Sequence, residues 1–312
     1  MKKKIKVLSI FASAVLATSL LAGCGTKDKK DGAKSDNKKI GMVVSTLNNP
    51  FFVSMKEGAE AKAKAMGYEL VVLNSQDSAD TERSNVEDLV QQGVGAIIIN
   101  PTDSDAVANA VQVANDNEIP VITVDRKSNG GEVASHIESD NVKGGEMAAK
   151  FILDNLKDSA EIKTVELQGV PGASATRDRG QGFHNIVDKD KKVNLIAKQS
   201  ADFDRQKGLT VMENIIQAKP QIDAIFAHND EMALGAVKAL KAAKKKSIII
   251  GFDGNEDAIN AVKSGDMTAT VAQQPKLMGE ISVENAVKAS KGEKVDKLKA
   301  VELKLVTKEN AK

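Results

Sequence analysis

Residues 69–126 read ELVVLNSQDSADTERSNVEDLVQQGVGAIIINPTDSDAVANAVQVANDNEIPVITVDR. Three short runs rich in Val and Ile, at 69–73, 95–99 and 120–124, alternate with two segments, 82–92 and 104–116, whose apolar residues recur at helical spacing. Strands followed by helices of this length predict βαβ units and a parallel sheet covered on both faces. The pattern extends outward in both directions. Further strand candidates lie at 40–45, 162–167, 193–198, 222–227, 247–252 and 268–272, with helical patterns at 51–66, 142–156, 205–218 and 231–243. The fold class is therefore α/β, with right-handed crossovers placing helices on either side of the sheets.

A second regularity concerns the polar residues that follow the apolar runs. Asn49 precedes Asn100 by 51 positions and Asn100 precedes Asp125 by 25; Arg177 precedes Asn229 by 52 and Asn229 precedes Asp253 by 24. Each sits at the carboxyl end of a predicted strand, the edge at which open α/β sheets bind ligands. Two copies of one ruler predict two similar lobes, each offering polar groups to a ligand held between them.

Composition fits this scale. The 312 residues, 41% of them hydrophobic, supply two ordinary cores. At the N-terminus Lys2, Lys3, Lys4 and Lys6 precede an apolar run from Val7 that ends Leu21-Ala22-Gly23-Cys24. A basic start, a short apolar stretch and small residues before a cysteine predict an export signal over 1–23 and lipidation of Cys24. The protein then works outside the cytoplasm, anchored to the outer face of the membrane. Residues 25–38, GTKDKKDGAKSDNK, carry no apolar side chain larger than alanine and predict a solvated tether. Stretched, it spans about 45 Å, and relaxed about 20 Å. Removing 1–23 takes away four lysines and no acid, turning a formal charge of +1 into −3, which gives no reason to expect nucleic acid as a partner. Cys24 is the single cysteine, so no internal disulfide forms.

The residue types at the sheet edges suit a neutral, hydroxyl-rich molecule. Asn49, Asn100, Asp125, Arg126, Arg177, Asn229, Asp253 and Gln273 combine acceptor-only carboxylates, donor-only guanidinium groups and amides that do both. Phe51, Phe52 and Phe203 stand out among eight phenylalanines, one tyrosine and no tryptophan. Such rings could sandwich the weakly apolar C–H faces of a sugar ring. Asn and Asp after a strand also cap the following helix, and one of Phe51 and Phe52 has a core position as its alternative. Thr102 and Asp105 have capping-box spacing, and Asp103 and Asp105 are assigned to capping. Of the two arginines in ATRDRG, Arg177 lies nearer the strand edge than Arg179 and is preferred.

At these residues the chain resembles the sugar-binding proteins of bacterial ABC importers, from about Lys39 to the C-terminus. The resemblance is carried by VVSTLNNPFF (43–52), INPTDSDAV (99–107), PVITVDR (120–126), SHIESDN (135–141), ELQGVPGASATRDRG (166–180), ADFDRQKGL (201–209), NDEMALGA (229–236) and GFDG (251–254). It implies a type I periplasmic binding protein fold: two Rossmann-like lobes joined by a three-strand hinge, 39–139 with 274–302 and 140–273 with 303–312. D-ribose, or a related monosaccharide such as allose, xylose, galactose or a quorum-signalling sugar, would close between them. One lobe would contact it through Asn49, Phe51, Phe52, Asn100, Asp125 and Arg126, the other through Arg177, Phe203, Asn229 and Asp253, with Gln273 at the hinge. The implied partners are an ABC permease in the membrane and, as a compatible role, a chemoreceptor. The protein would be a monomer with no cofactor, metal or catalytic residue. His228 departs from the glutamine frequent in such proteins before the Asn-Asp pair.

Two rival classes find little support. There is no GxxxxGK[ST], HExxH or GxSxG pattern, and His136, His184 and His228 lack metal-ligand spacing, so they read as surface or structural residues. A sugar-responsive repressor would need a helix-turn-helix module where the export signal stands.

Overall fold

A computed structural model describes residues 38–311. The predicted export signal, Cys24 and nearly all of the tether lie outside them. Two six-stranded sheets form the body. The first has the order β11-β5-β4-β3-β1-β2 and the second β12-β10-β9-β8-β6-β7, so the two halves repeat one topology.

The first sheet comprises β1 (Lys39–Val44), β2 (Glu69–Asn74), β3 (Ile97–Ile99), β4 (Val121–Val124), β5 (Ser135–Ser139) and β11 (Leu298–Val301), all parallel. Helices α1 (Pro50–Met66) and α9 (Pro275–Ser290) cover one face; α2 (Ala79–Gln91) and α3 (Val107–Asp116) cover the other. The second sheet contains β6 (Ile162–Gln168), β7 (Val193–Ser200), β8 (Ala224–Ala227), β9 (Ile248–Asp253), β10 (Ala269–Ala272) and β12 (Lys304–Thr307). Here only β12 runs antiparallel to its neighbour. Helices α4 (Asn141–Asn155) and α5 (Ser174–Val187) lie on one face, and α6 (Arg205–Ala218), α7 (Asp230–Ala242) and α8 (Glu256–Ser264) on the other. The chain passes between the halves three times: after β5, after β10, and in the two residues separating β11 from β12.

Central strands are buried on both faces, which is why they read as unbroken apolar runs such as Ile97–Ile99. Three strands escape that signature. β5 carries Ser135, His136 and Ser139 in its buried positions, and β11 and β12 are only four residues long with one buried side chain each. Helix α1 approaches α9 so closely that a Cβ on Gly58 would lie 2.1 Å from the Lys276 carbonyl oxygen, and one on Gly279 would lie 2.0 Å from that of Met55. No helix among the described residues is long and apolar enough to cross a membrane.

In each half the sheet order reverses direction beside its first strand, opening a crevice at the carboxyl ends of β1 and β3 and of β6 and β8. The two crevices face each other. Three backbone amides donate across their rims: Ser104 N to Gly172 O (3.0 Å), Ser174 N to Ser104 Oγ (3.2 Å) and Lys127 N to Ser174 Oγ (2.9 Å). Lys127 Nζ lies 3.2 Å from both Glu138 on its own half and Asp178 on the other.

Candidate functional site

Between the facing sheet edges lies a narrow cavity with about 220 Å³ of space between atoms. Asn49, Phe51, Phe52, Asp125 and Arg126 line it from the first half; Ala175, Arg179, Phe203, Asn229 and Asp253 from the second; Gln273 stands at the crossing. Most of the residues singled out in the sequence therefore converge here.

Their positions follow from local structure. Asn49 is the N-cap of α1, its Oδ1 accepting the Phe51 amide at 3.0 Å. Asn229 caps α7, accepting from Met232 N (3.0 Å) and donating to Phe203 O (3.1 Å). Capping and site lining thus coincide, because a helix that starts at the sheet edge leaves its cap at the crevice. Phe51 and Phe52 meet edge to face, centroids 5.3 Å apart, and both belong to the core cluster as well as the cavity wall. The core and ring-sandwich readings are therefore compatible.

Backbone strain gathers at the same place. Asp125 (φ 65°), Asp253 (φ 122°), Asp202 (φ 51°) and Phe203 (φ 62°) occupy the positive-φ region that residues with a Cβ rarely adopt. The strained turn at Asp253 is held by Asp230, whose carboxylate accepts from Gly254 N and Asn255 N at 2.8 Å each and from Thr270 Oγ1 at 2.7 Å.

Two residues behave differently from the expectation. Arg177 is exposed, with Nη1 donating to Gly172 O at 3.0 Å, and it does not line the cavity. Arg179 does. Two positions along a helix turn the side chain by about 200°, so only one of the pair can face the crevice. Arg179 is 3% exposed, donates through Nε to Asn141 Oδ1 (2.8 Å) and through Nη1 to His228 O (2.5 Å), and lies 3.7 Å from Asp253. Its guanidinium carbon stands 3.8 Å from the Phe252 ring centroid. Asn100 also stands back from the cavity. It accepts from Ser45 N (3.2 Å) and Oγ (2.7 Å) and donates to Asp125 Oδ2 (3.3 Å), so it reaches the cavity through Asp125. Asp103 caps as expected, its Oδ1 accepting from Asp105 N (2.8 Å) and Ala106 N (2.9 Å) ahead of α3, but Thr102 and Asp105 form no capping box: Thr102 N donates to Glu82, and Asp105 Oδ1 accepts from Asn129 Nδ2 (2.6 Å).

Arg126 closes one wall. Its guanidinium carbon lies 5.1 Å from the Phe52 centroid and 5.2 Å from that of Phe203, so rings from opposite halves flank one cation. Burial raises the Asp125 and Asp253 carboxyls against the pull of Arg126 and Arg179 respectively. Arg126 Nε and Gln273 Oε1 are buried without a hydrogen-bond partner among the described residues. Buried polar atoms are ordinarily satisfied; on residues lining a cavity, a spare donor and a spare acceptor fit a ligand rich in hydroxyls.

His228 is fully buried behind this wall, its Nε2 2.9 Å from Glu166, and burial lowers its pKa. It does not line the cavity, in keeping with a structural role. His136 pairs with Thr123 and Glu138, and His184 with Glu166 and Asp188.

Fold and site together define a two-lobed solute-binding protein, and comparison with known proteins agrees: the chain belongs to the periplasmic binding protein domain family, which it matches over residues 40–294. It is 50% identical over 312 residues to the ribose import binding protein RbsB of Bacillus subtilis, covering 98% of this chain and 99% of that protein. Identity to the protein of the same name in Haemophilus influenzae is 53% over 268 residues, covering 86% and 91%. Among solved structures, an ABC transporter solute-binding protein from Actinobacillus succinogenes with bound D-allose superposes with a TM-score of 0.82 at 32% identity, covering 88% of this chain and 98% of that one. These relatives are solute-binding proteins, and the family acts outside the cytoplasm.

Proposed function

We propose that this chain captures D-ribose between its two lobes and delivers it to the permease of an ABC importer. One observation carries the reading. The cavity is flanked by Phe rings from both lobes, rimmed by two carboxylates and two guanidinium groups, and retains a buried donor and a buried acceptor with no hydrogen-bond partner among the described residues. The ribose import names of two relatives at 50% and 53% identity select the sugar.

The binding set under this reading is Asn49, Phe51, Phe52, Asp125, Arg126, Arg179, Phe203, Asn229, Asp253 and Gln273, with Asn100 holding Asp125. The lobes comprise 39–139 with 274–302 and 140–273 with 303–312, and they open about the three crossings. Ribose docks on one lobe, and rotation brings the second lobe's hydrogen bonds onto the remaining hydroxyls. Only the closed state uses both sets, so the sugar shifts the population towards it. The closed surface is what the permease reads, and a chemoreceptor can use the same surface. No bond in the sugar is made or broken. The protein acts as a monomer held outside the cell membrane by the lipidated Cys24, with the 25–38 segment as its tether.

Calorimetry with D-ribose tests this. Micromolar affinity, about −8 kcal/mol, is expected, and it lies within reach of satisfied hydrogen bonds and ring contacts after ordering costs. Heat from another sugar but none from ribose would reassign the ligand. Release of free ribose from a nucleoside would make the protein an enzyme.

A further inference from the structure

Helix α2 buries one stripe, at Glu82, Val86 and Leu89, while Arg83 and Ser84 face solvent. A carboxylate at the head of an otherwise apolar stripe, with no exposure at all, is the least expected group in the first lobe. Its Oε2 accepts from Thr102 N at 2.7 Å. The other end of that same peptide group, the Pro101 carbonyl, accepts from Arg126 Nη1 at 3.1 Å. Glu82 and Arg126 therefore grip one peptide plane from opposite ends. A carboxylate on the N–H polarises the peptide and strengthens its carbonyl as an acceptor. This peptide directly follows Asn100, which holds Asp125.

We propose that Glu82 is a positioning residue for sugar binding, which through the Pro101–Thr102 peptide fixes the Arg126 guanidinium between Phe52 and Phe203. The inference rests on the ribose reading above. With Nη1 committed to Pro101, Nε, 3.6 Å from Asp125 Oδ2 and without a hydrogen-bond partner among the described residues, is held at the cavity wall, where a sugar hydroxyl can accept from it. Arg126, together with Asn49, Phe52 and Phe203, stands between the inner cavity and an outer cleft with about 860 Å³ of space between atoms, since these four line both. A loosened Arg126 thus opens a way out as well as losing a contact, and the account expects faster dissociation with little change in association.

Burial pushes the Glu82 carboxyl up to about 7, opposed by the Thr102 hydrogen bond and by Arg126 and reinforced by Asp103. These are the charged groups facing it, so the group titrates in the neutral range. The Thr102 amide reports that titration directly.

The test compares Glu82→Leu, Glu82→Gln, Arg126→Leu and the double variant Glu82→Leu/Arg126→Leu by ribose calorimetry, alongside sugar-free melting. Glu82→Leu is expected to weaken ribose about tenfold, through the loss of one charge-assisted contact. Glu82→Gln, whose amide oxygen still accepts from Thr102, weakens it less than about threefold. In the Arg126→Leu background the Glu82→Leu change adds less than about twofold, because the pair acts as one unit. As a readout independent of folding losses in the leucine variant, the Thr102 amide proton shift titrates near neutral pH in the unmodified protein and not in Glu82→Gln. Wild-type affinity in Glu82→Leu, equal losses in Leu and Gln, additivity in the cycle, or a Thr102 shift indifferent to Glu82→Gln would each overturn the proposal. A failure of the unmodified protein to bind ribose would instead overturn the function on which it stands.

Discussion

Replacing Arg179 by Met weakens ribose binding by at least about a hundredfold, whereas Arg177→Ala stays within about twofold of the parent; each tenfold step corresponds to about 1.4 kcal/mol. Arg179 is buried, and its guanidinium serves Asn141, His228 O and Asp253 together. Removing one partner of a buried charged set strands the others, at a cost of about 3–5 kcal/mol in comparable cases. Met preserves length and apolar volume, so much of that loss falls on the polar groups. Arg177 has only an exposed contact to Gly172 O, and exposed contacts contribute little. Calorimetry on the two variants, with Arg179→Lys as a milder third, decides the matter. Full binding by Arg179→Lys with loss in Arg177→Ala would return the role to Arg177.

A side chain at Gly172 acts as a wedge. A Cβ there would sit 1.7 Å from Asp103 Oδ2 on the opposite lobe. Asp103 has little room to swing aside, because its other oxygen accepts the amides of Asp105 and Ala106. The backbone bond from Ser104 N to Gly172 O, at 3.0 Å, is lost once the rims are pushed apart. Gly172→Leu is therefore expected to weaken ribose on the order of a hundredfold, about 2.7 kcal/mol, with sugar-free melting little changed because neither core is touched. The loss arises from the closing equilibrium alone, since Gly172 lies outside the cavity lining. Unchanged affinity in this variant would mean that binding does not need the closed rims.

Much of this architecture is legible in the chain because doubly buried strands must be continuous apolar runs. Ile97–Ile99 and Val121–Val124 declare themselves, and so do the polar residues that end them, Asn100 and Asp125. The repeated spacing of those residues reflects two sheets built in one order. What stays hidden depends on neighbours distant in sequence. β5, β11 and β12 take their identity from pairing with other strands: β5 has a single apolar side chain, and β11 and β12 are too short to show a pattern. Arg177 and Arg179 differ by a helical phase that is set only once α5 docks on α4. Glu82 looks like an ordinary first-turn acid on an amphipathic helix, yet it falls on the stripe with Val86 and Leu89. That clash of charge with periodicity was the available signal for it. Gly172 shows its purpose only where the two rims meet.

Small-angle scattering of the unmodified protein with and without saturating D-ribose tests the clamp most directly. The account predicts a sugar-free profile containing an open, more extended form, which contracts on ribose to one matching the closed shape, while Gly172→Leu stays extended under the same conditions. Superimposable profiles for the unmodified protein, alongside calorimetric proof that ribose has bound, would contradict it.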